Sequence, residues 1–279
     1  MVFDKHYRLF SGQVLLLLIF LQLSLVTIPG CSVKESRTLC PCALSLVFGE
    51  RDTARLRDGV ALRLSVDAEN GADESLDSIV ALTGSRTASF RTARGRAVAL
   101  AVWPSETVVC PYGEDVWIRI PEGEQCPEIW TGAVSASTLG DRAEADIPLR
   151  RNCCVIGIYF NGGDLFSLEV RGNVCGYGND GLPAEGPFPA VAVAEASGGG
   201  TRYCTVRVPR QTDCSLSLHI VGADGSRRVF AIGNYIEASG YDWCSDDLKD
   251  IMLEIDYAAT SAVFRIDRWS ETFHFETVL

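Results

Sequence analysis

"RRNCCVIGIYFNGG", residues 150–163, holds a pair of cysteines, then a short alternating strand ending in Phe160, then a polar turn. The same order stands earlier in "LCPCALSLVFGE", residues 39–50. Each copy opens a stretch of roughly 110 to 130 residues, about the size of one β-sandwich. The repeat therefore predicts two tandem β-domains, residues 31–149 and 150–279, behind a leader of residues 1–30.

The segments around the two copies agree. "VALRLSVDA" (60–68), "AVALAVW" (97–103), "DVWIRI" (115–120), "LFSLEVRG" (165–172), "RYCTVRV" (202–208), "CSLSLHIVG" (214–222), "IMLEIDYA" (251–258) and "AVFRIDRW" (262–269) are short and rich in alternation. "DAENGAD", "PEGEQCP", "GYGNDGLPAEGP" and "GADGSRR" supply the turns between them. Only "SDDLKD" (245–250) reads as a helical turn. Many short strands at near-even spacing predict an all-β protein of sandwiches or barrels.

The leader begins with a basic head of Lys5, His6 and Arg8. Val14 to Ile28 is apolar apart from Gln22, Ser24 and Thr27, and it ends at Pro29-Gly30. This is the pattern of a secretory signal, and it falls short of the ~20 predominantly apolar residues that span a bilayer. Ile28-Pro29-Gly30-Cys31 resembles a bacterial lipobox, in which Cys31 is acylated and becomes the first residue after cleavage. The alternative is an ordinary secreted protein with Cys31 in a disulfide. Stable anchoring needs more than one chain or signal, and the acyl chains of a bacterial lipoprotein meet that need.

Without the leader the formal charge moves from −11 to −12, because Asp4 leaves with Lys5 and Arg8. No basic stripe with interleaved aromatics stands against that acidity, which excludes nucleic acid as an expected partner. Apart from Cys31, ten cysteines remain, an even number that in an exported protein predicts disulfides. Cys110 and Cys126 flank a possible hairpin and form the first candidate pair. Metal is the competing reading for the close pairs Cys40/Cys42 and Cys153/Cys154, but zinc sites want C-x2-C spacing or paired histidines. No metal or cofactor is expected.

Motifs for catalysis are weak. Gly176, Gly178 and Gly181 spell GxGxxG, but Pro183, Pro187 and Pro189 forbid the helix that a dinucleotide site requires. "DAENGADES" (67–75) lacks the order of a calcium loop. His219 shares a strand face with Ser215 and Ser217, where a general base is conceivable and a solvated histidine simpler. No G-x-S-x-G elbow or H-E-x-x-H helix is present. The chain reads as a non-enzyme.

The C-terminal region is more specific. "YIEASGYDWCSDDLKDIMLEIDYAATSAVFRIDRW" (235–269) contains Gly-Tyr-Asp at 240–242, Asp-Leu-x-Asp-Ile at 247–251, an "EIDY" strand and a last strand ending in Trp269. It resembles the closing segment of the FimB-type fimbrial anchor family, the minor pilus lipoproteins of Gram-negative anaerobes. The lipobox followed by "LCP", "LRLSVD" (62–67) and "IPLRRNCCVIGIYF" (147–160) agree, whereas the Cys153-Cys154 doublet departs from the pattern. The resemblance implies an outer-membrane lipoprotein of two transthyretin-like β-sandwich domains. Such a protein sits at the base of a type V pilus, tethers the shaft through the lipid on Cys31 and limits its length. It further implies a pilin partner joined by strand exchange, with an anchor that keeps its own first strand and so donates one.

The candidate donor is "SETFHFETVL" (270–279), whose Phe273, Phe275 and Leu279 fall on one side of an extended chain. The last edge strand of the second domain is the competing reading for the same residues. A surface glycan-binding lipoprotein is the alternative function; it would need exposed aromatics, and the five Trp mostly lie at alternating strand positions.

Overall fold

The computed structural model describes residues 40–107, 116–161, 165–198, 200–223, 225–256, 261–266 and 269–274. The protein is all-β, with its strands in four sheets and two cores. Strands are numbered along the chain.

The first core lies between two sheets. The smaller has β1 (Cys42–Val47) at its centre, antiparallel to β4 (Thr87–Thr92) and parallel to β8 (Arg142–Asp146). The larger runs β3 (Glu74–Val80), β2 (Val60–Ala68), β5 (Gly95–Trp103), β7 (Trp130–Ser137) and β9 (Arg150–Arg151), antiparallel throughout. Alternation builds this core directly. Cys42, Leu44 and Leu46 of β1 point in, facing Leu62, Leu64 and Val66 of β2 and Ala97, Ala99 and Ala101 of β5.

The second core lies between a six-stranded and a five-stranded sheet. The first of these runs β13 (Glu195–Gly198), β14 (Thr201–Pro209), β10 (Cys153–Asn161), β17 (Ile251–Asp256), β18 (Ser261–Ile266) and β19 (Trp269–His274). The other runs β12 (Pro183–Ala192), β11 (Leu165–Gly178), β15 (Ser217–Gly222) and β16 (Arg227–Phe230). Ile156, Ile158 and Phe160 face Leu168, Val170, Leu218 and Ile220 across it.

A further strand, β6 (Val116–Arg119), belongs to the second core although it precedes β7 in sequence. It pairs with the end of β11, Ile118 opposite Tyr177, and the Ile120 amide continues to the Cys175 carbonyl at 2.8 Å. The chain then crosses the sandwich, where the Cys126 amide donates to the Arg207 carbonyl on β14 at 2.9 Å. Residues from the first half of the sequence thus clasp both sheets of the second core.

Three local expectations change. Pro183–Ala192 is a strand, not a loop: β12 is the outermost strand of its sheet, and proline is tolerated at an edge because it lacks only the amide hydrogen. "GYGNDG" is divided between the end of β11 and the turn before β12. Gly176 is required there, because a Cβ would overlap the Ile118 carbonyl and push β6 away. "SDDLKD" is not helical; among the described residues the two α-helices are α1 (Thr53–Asp58) and α2 (Ile232–Ala238). Leu56 alone is buried in α1, and α2 buries Ile232 and Ile236, one turn apart; so few anchors leave little periodicity to read.

Candidate functional site

Charged, amide and aromatic side chains meet at the joint between the two cores. On β2, Leu62 and Leu64 face the first core, so Ala61 and Arg63 face outward. Outward here means toward the second core, to which Ala61, Leu100 and Val102 contribute. Arg63 is only 6% exposed. Its Nε and Nη2 donate to the two carboxylate oxygens of Asp77 on β3 at 2.8 and 3.0 Å, a fork-on-fork pair. Nη1 donates to Asn179 Oδ1 at 2.8 Å, and the guanidinium lies 5.1 Å from the ring centre of Trp117 on β6. One arginine therefore ties a strand of the first sandwich to the β6 clasp and to the β11–β12 turn of the second. Gly181 in that turn, at φ +76°, packs where a Cβ would press on Leu100 and Ala133 of the larger first sheet.

A second hub stands at the crossover. Asn152, between β9 and β10, donates through Nδ2 to Thr131 Oγ1 on β7, and its amide donates to the Ile129 carbonyl at 2.9 Å. Its Oδ1 accepts from Arg210 Nε at 2.6 Å, and its carbonyl accepts from the Tyr177 hydroxyl and the Arg210 amide. Arg210 also donates to the carbonyls of Arg151 (3.0 Å), Ser245 (2.9 Å) and Trp243. Every one of these is a buried or half-buried polar group with a partner, which is what gives such a network one geometry. Burial lowers the Arg210 pKa and pushes the Tyr177 hydroxyl well up, so at neutral pH the two meet as a cation and a neutral phenol. Beside the Asn152–Arg210 hub opens a cleft of 820 Å³, whose lining includes Thr131, Gly132 and Ala133 of the first sandwich together with Glu237, Tyr241 and Trp243.

The residues singled out from sequence fall elsewhere. Cys31, Cys110, Phe275 and Leu279 lie outside the described residues. β19 places residues 269–274 on the edge of the six-stranded sheet, antiparallel to β18 with Phe273 opposite Ala262, the arrangement of a last edge strand. Among the described residues β1 fills the middle of its own sheet, between β4 and β8.

The expected disulfides are absent among the described residues, whose nine cysteines are all free thiols. Cys126, the described half of the candidate pair, is fully buried as a small apolar side chain of the second core, with Cys153, Cys154 and Cys204. Burial raises all four thiols, Cys154 and Cys204 to about 12, which keeps them protonated and inert. Protein denatured without reductant should accordingly titrate at least nine thiols per chain with a chromogenic disulfide reagent. A count of three or fewer would restore the disulfide framework.

His219 Nε2 lies 3.0 Å from Ser217 Oγ, on the outward face of the five-stranded sheet with Glu169 opposite on β11. Desolvation first, and then Arg171, lower its pKa, which leaves the imidazole neutral. The pair lies away from the cleft, on a flat strand surface. Sequence reasoning missed Arg63, Trp117, Asn152 and Arg210 as a set. The one available signal was a charge, Arg63, in a strand whose flanking positions are nearly all apolar.

Sequence comparison with family models and with curated proteins finds no match. Comparison of structures does. The fimbrial anchor protein Mfa2 from Porphyromonas gingivalis superposes with a TM-score of 0.60 at 11% identity, over 83% of this chain and 99% of that one. The two chains share one fold. A candidate polysaccharide-binding protein from Bacteroides thetaiotaomicron (TM-score 0.59, 14% identity, 84% of this chain and 98% of that one) shares it. So does a candidate adhesin from Bacteroides ovatus, at a TM-score of 0.60 and 11% identity over 84% of this chain and 95% of that one. The shared fold thus extends over 83–84% of this chain.

Proposed function

We propose that this protein is the anchor of a fimbrium, held in the outer membrane by acyl chains on Cys31, joined to the first pilin by strand pairing, and limiting the length of the shaft. The observation that carries this reading is the fold shared with a fimbrial anchor over 99% of that chain, in a sequence whose residues 28–31 resemble a lipobox. A fold alone does not give function; the coincidence of fold and lipid signal is the support. The joint suits such a role. A pull on the second sandwich passes to the first through the β6 clasp, Arg63 and the Asn152–Arg210 hub rather than through a single linker.

The protein works in this reading without catalysis: a pilus joint needs strand edges, not reacting groups. β19 is such an edge, and residues 275–279, with Phe275 and Leu279, are the segment offered to the pilin. Unpaired amides and carbonyls of an edge are satisfied by a neighbour's strand, with alternate side chains filling pockets. Deletion of residues 275–279 leaves β19 whole and tests the joint. Pili should be shed into the medium while the truncated protein stays folded and in the membrane fraction. Pili held as in the parent strain would rule the tail out as the donor.

A further inference from the structure

We propose that the cleft between the two sandwiches binds a short neutral oligosaccharide, a role additional to anchoring. Its volume, 820 Å³, falls within the roughly 300 to 1,000 Å³ of small-molecule sites. Two aromatic residues line the cleft. Tyr241 and Trp243 are half-buried, with ring centres 4.8 Å apart in an edge-to-face arrangement. Both are fixed before any ligand arrives: the Tyr241 hydroxyl donates to the Lys249 carbonyl at 2.6 Å, and the Trp243 carbonyl is held by Arg210. Rings that combine an apolar body with a polar tip suit the C–H faces of a sugar.

The rim supplies the matching polar groups. Asp180, Thr212 and Glu237 are exposed there. Gln211, at 2% exposure, commits its Nε2 to the Pro209 carbonyl at 2.8 Å and keeps a buried Oε1 without a partner. Charge decides the ligand class. Arg150 and Arg210 are set against Asp180, Asp213 and Glu237, so the lining is close to balanced and offers no cationic cluster for a phosphate or uronate. A neutral polyhydroxylated ligand satisfies mixed donors and acceptors without leaving a charge buried.

The test uses the full lipidated protein in a non-glycosidic detergent, with maltotriose, cellotriose, mannotriose and chitotriose as probes in saturation-transfer NMR. Transfer to at least one trisaccharide is expected. Trp243→Ala spares the backbone bond to Arg210 and should weaken it about tenfold or more. Thr212→Trp, at an exposed position on the rim, blocks the cleft without touching either core and should abolish it. Pili should remain attached in both variant strains, which separates this site from the anchoring role. Transfer to none of the four sugars, or transfer unchanged in the Thr212→Trp protein, overturns the proposal.

Discussion

Trp117→Ala should split the unfolding of this protein into two transitions, with the second sandwich melting first. Trp117 is 2% exposed and carries three connections. Its side chain fills the second core, its strand β6 extends the sheet of β11, and its ring lies under the Arg63 guanidinium. Truncating a buried tryptophan costs about 3 to 5 kcal/mol, against a total of roughly 5 to 15 kcal/mol for a folded domain. The loss falls on the second core and on the joint, whereas the contacts among β1, β2 and β5 remain intact. The unfolding midpoint of the second sandwich should drop by about 10 °C on the usual scaling of 2 to 4 °C per kcal/mol. Calorimetry reads both quantities. Leu139→Ala, at an exposed loop position, is the control and should stay within about 0.5 kcal/mol of the parent. A single transition lowered by less than about 1 kcal/mol would mean that β6 does not hold the joint.

Cys31→Ala should move the protein out of the membrane fraction without altering its fold. Each buried methylene contributes about 0.8 kcal/mol, so two or three acyl chains are effectively permanent where one is not. No described sheet residue precedes Cys42, where β1 begins, so the circular dichroism and melting of the variant should match the parent. In cells the pili should be released or run abnormally long. Fractionation with an immunoblot decides the matter: a variant that stays in washed outer membranes removes lipid as the attachment and the lipobox reading with it.

The sequence was most legible where one physical rule maps onto one observable. Alternation at 43–48, 60–68 and 155–160 reports which side chains face inward, because successive residues of a strand point to opposite faces. It became illegible where two environments produce the same pattern. In β12 the prolines signalled a loop, yet an outermost strand accepts them. The tail at 269–274 alternates equally well as a donated strand and as the edge strand β19 that it forms. Cysteine count and export predicted bridges, but bridging needs Cα atoms within about 7 Å and side chains aimed at each other. Neither property is encoded in a count, and among the described residues five of the nine thiols are buried as small apolar groups while Cys40, Cys214 and Cys244 are exposed.

The sequence by itself determined the class of the fold and which face of most strands is buried, because apolar period and turn residues act locally. The tertiary structure decided which core each buried face joins. Val116–Arg119 is a short apolar strand like others in the chain, and only the assembled sheets show that it clasps the second sandwich rather than the first. Arg63 follows the same logic. Its neighbours set it on the outer face of β2, where a charge ordinarily meets solvent. Desolvation, the carboxylate of Asp77, Asn179 and the ring of Trp117 exist for it only once residues up to 116 positions away have arrived.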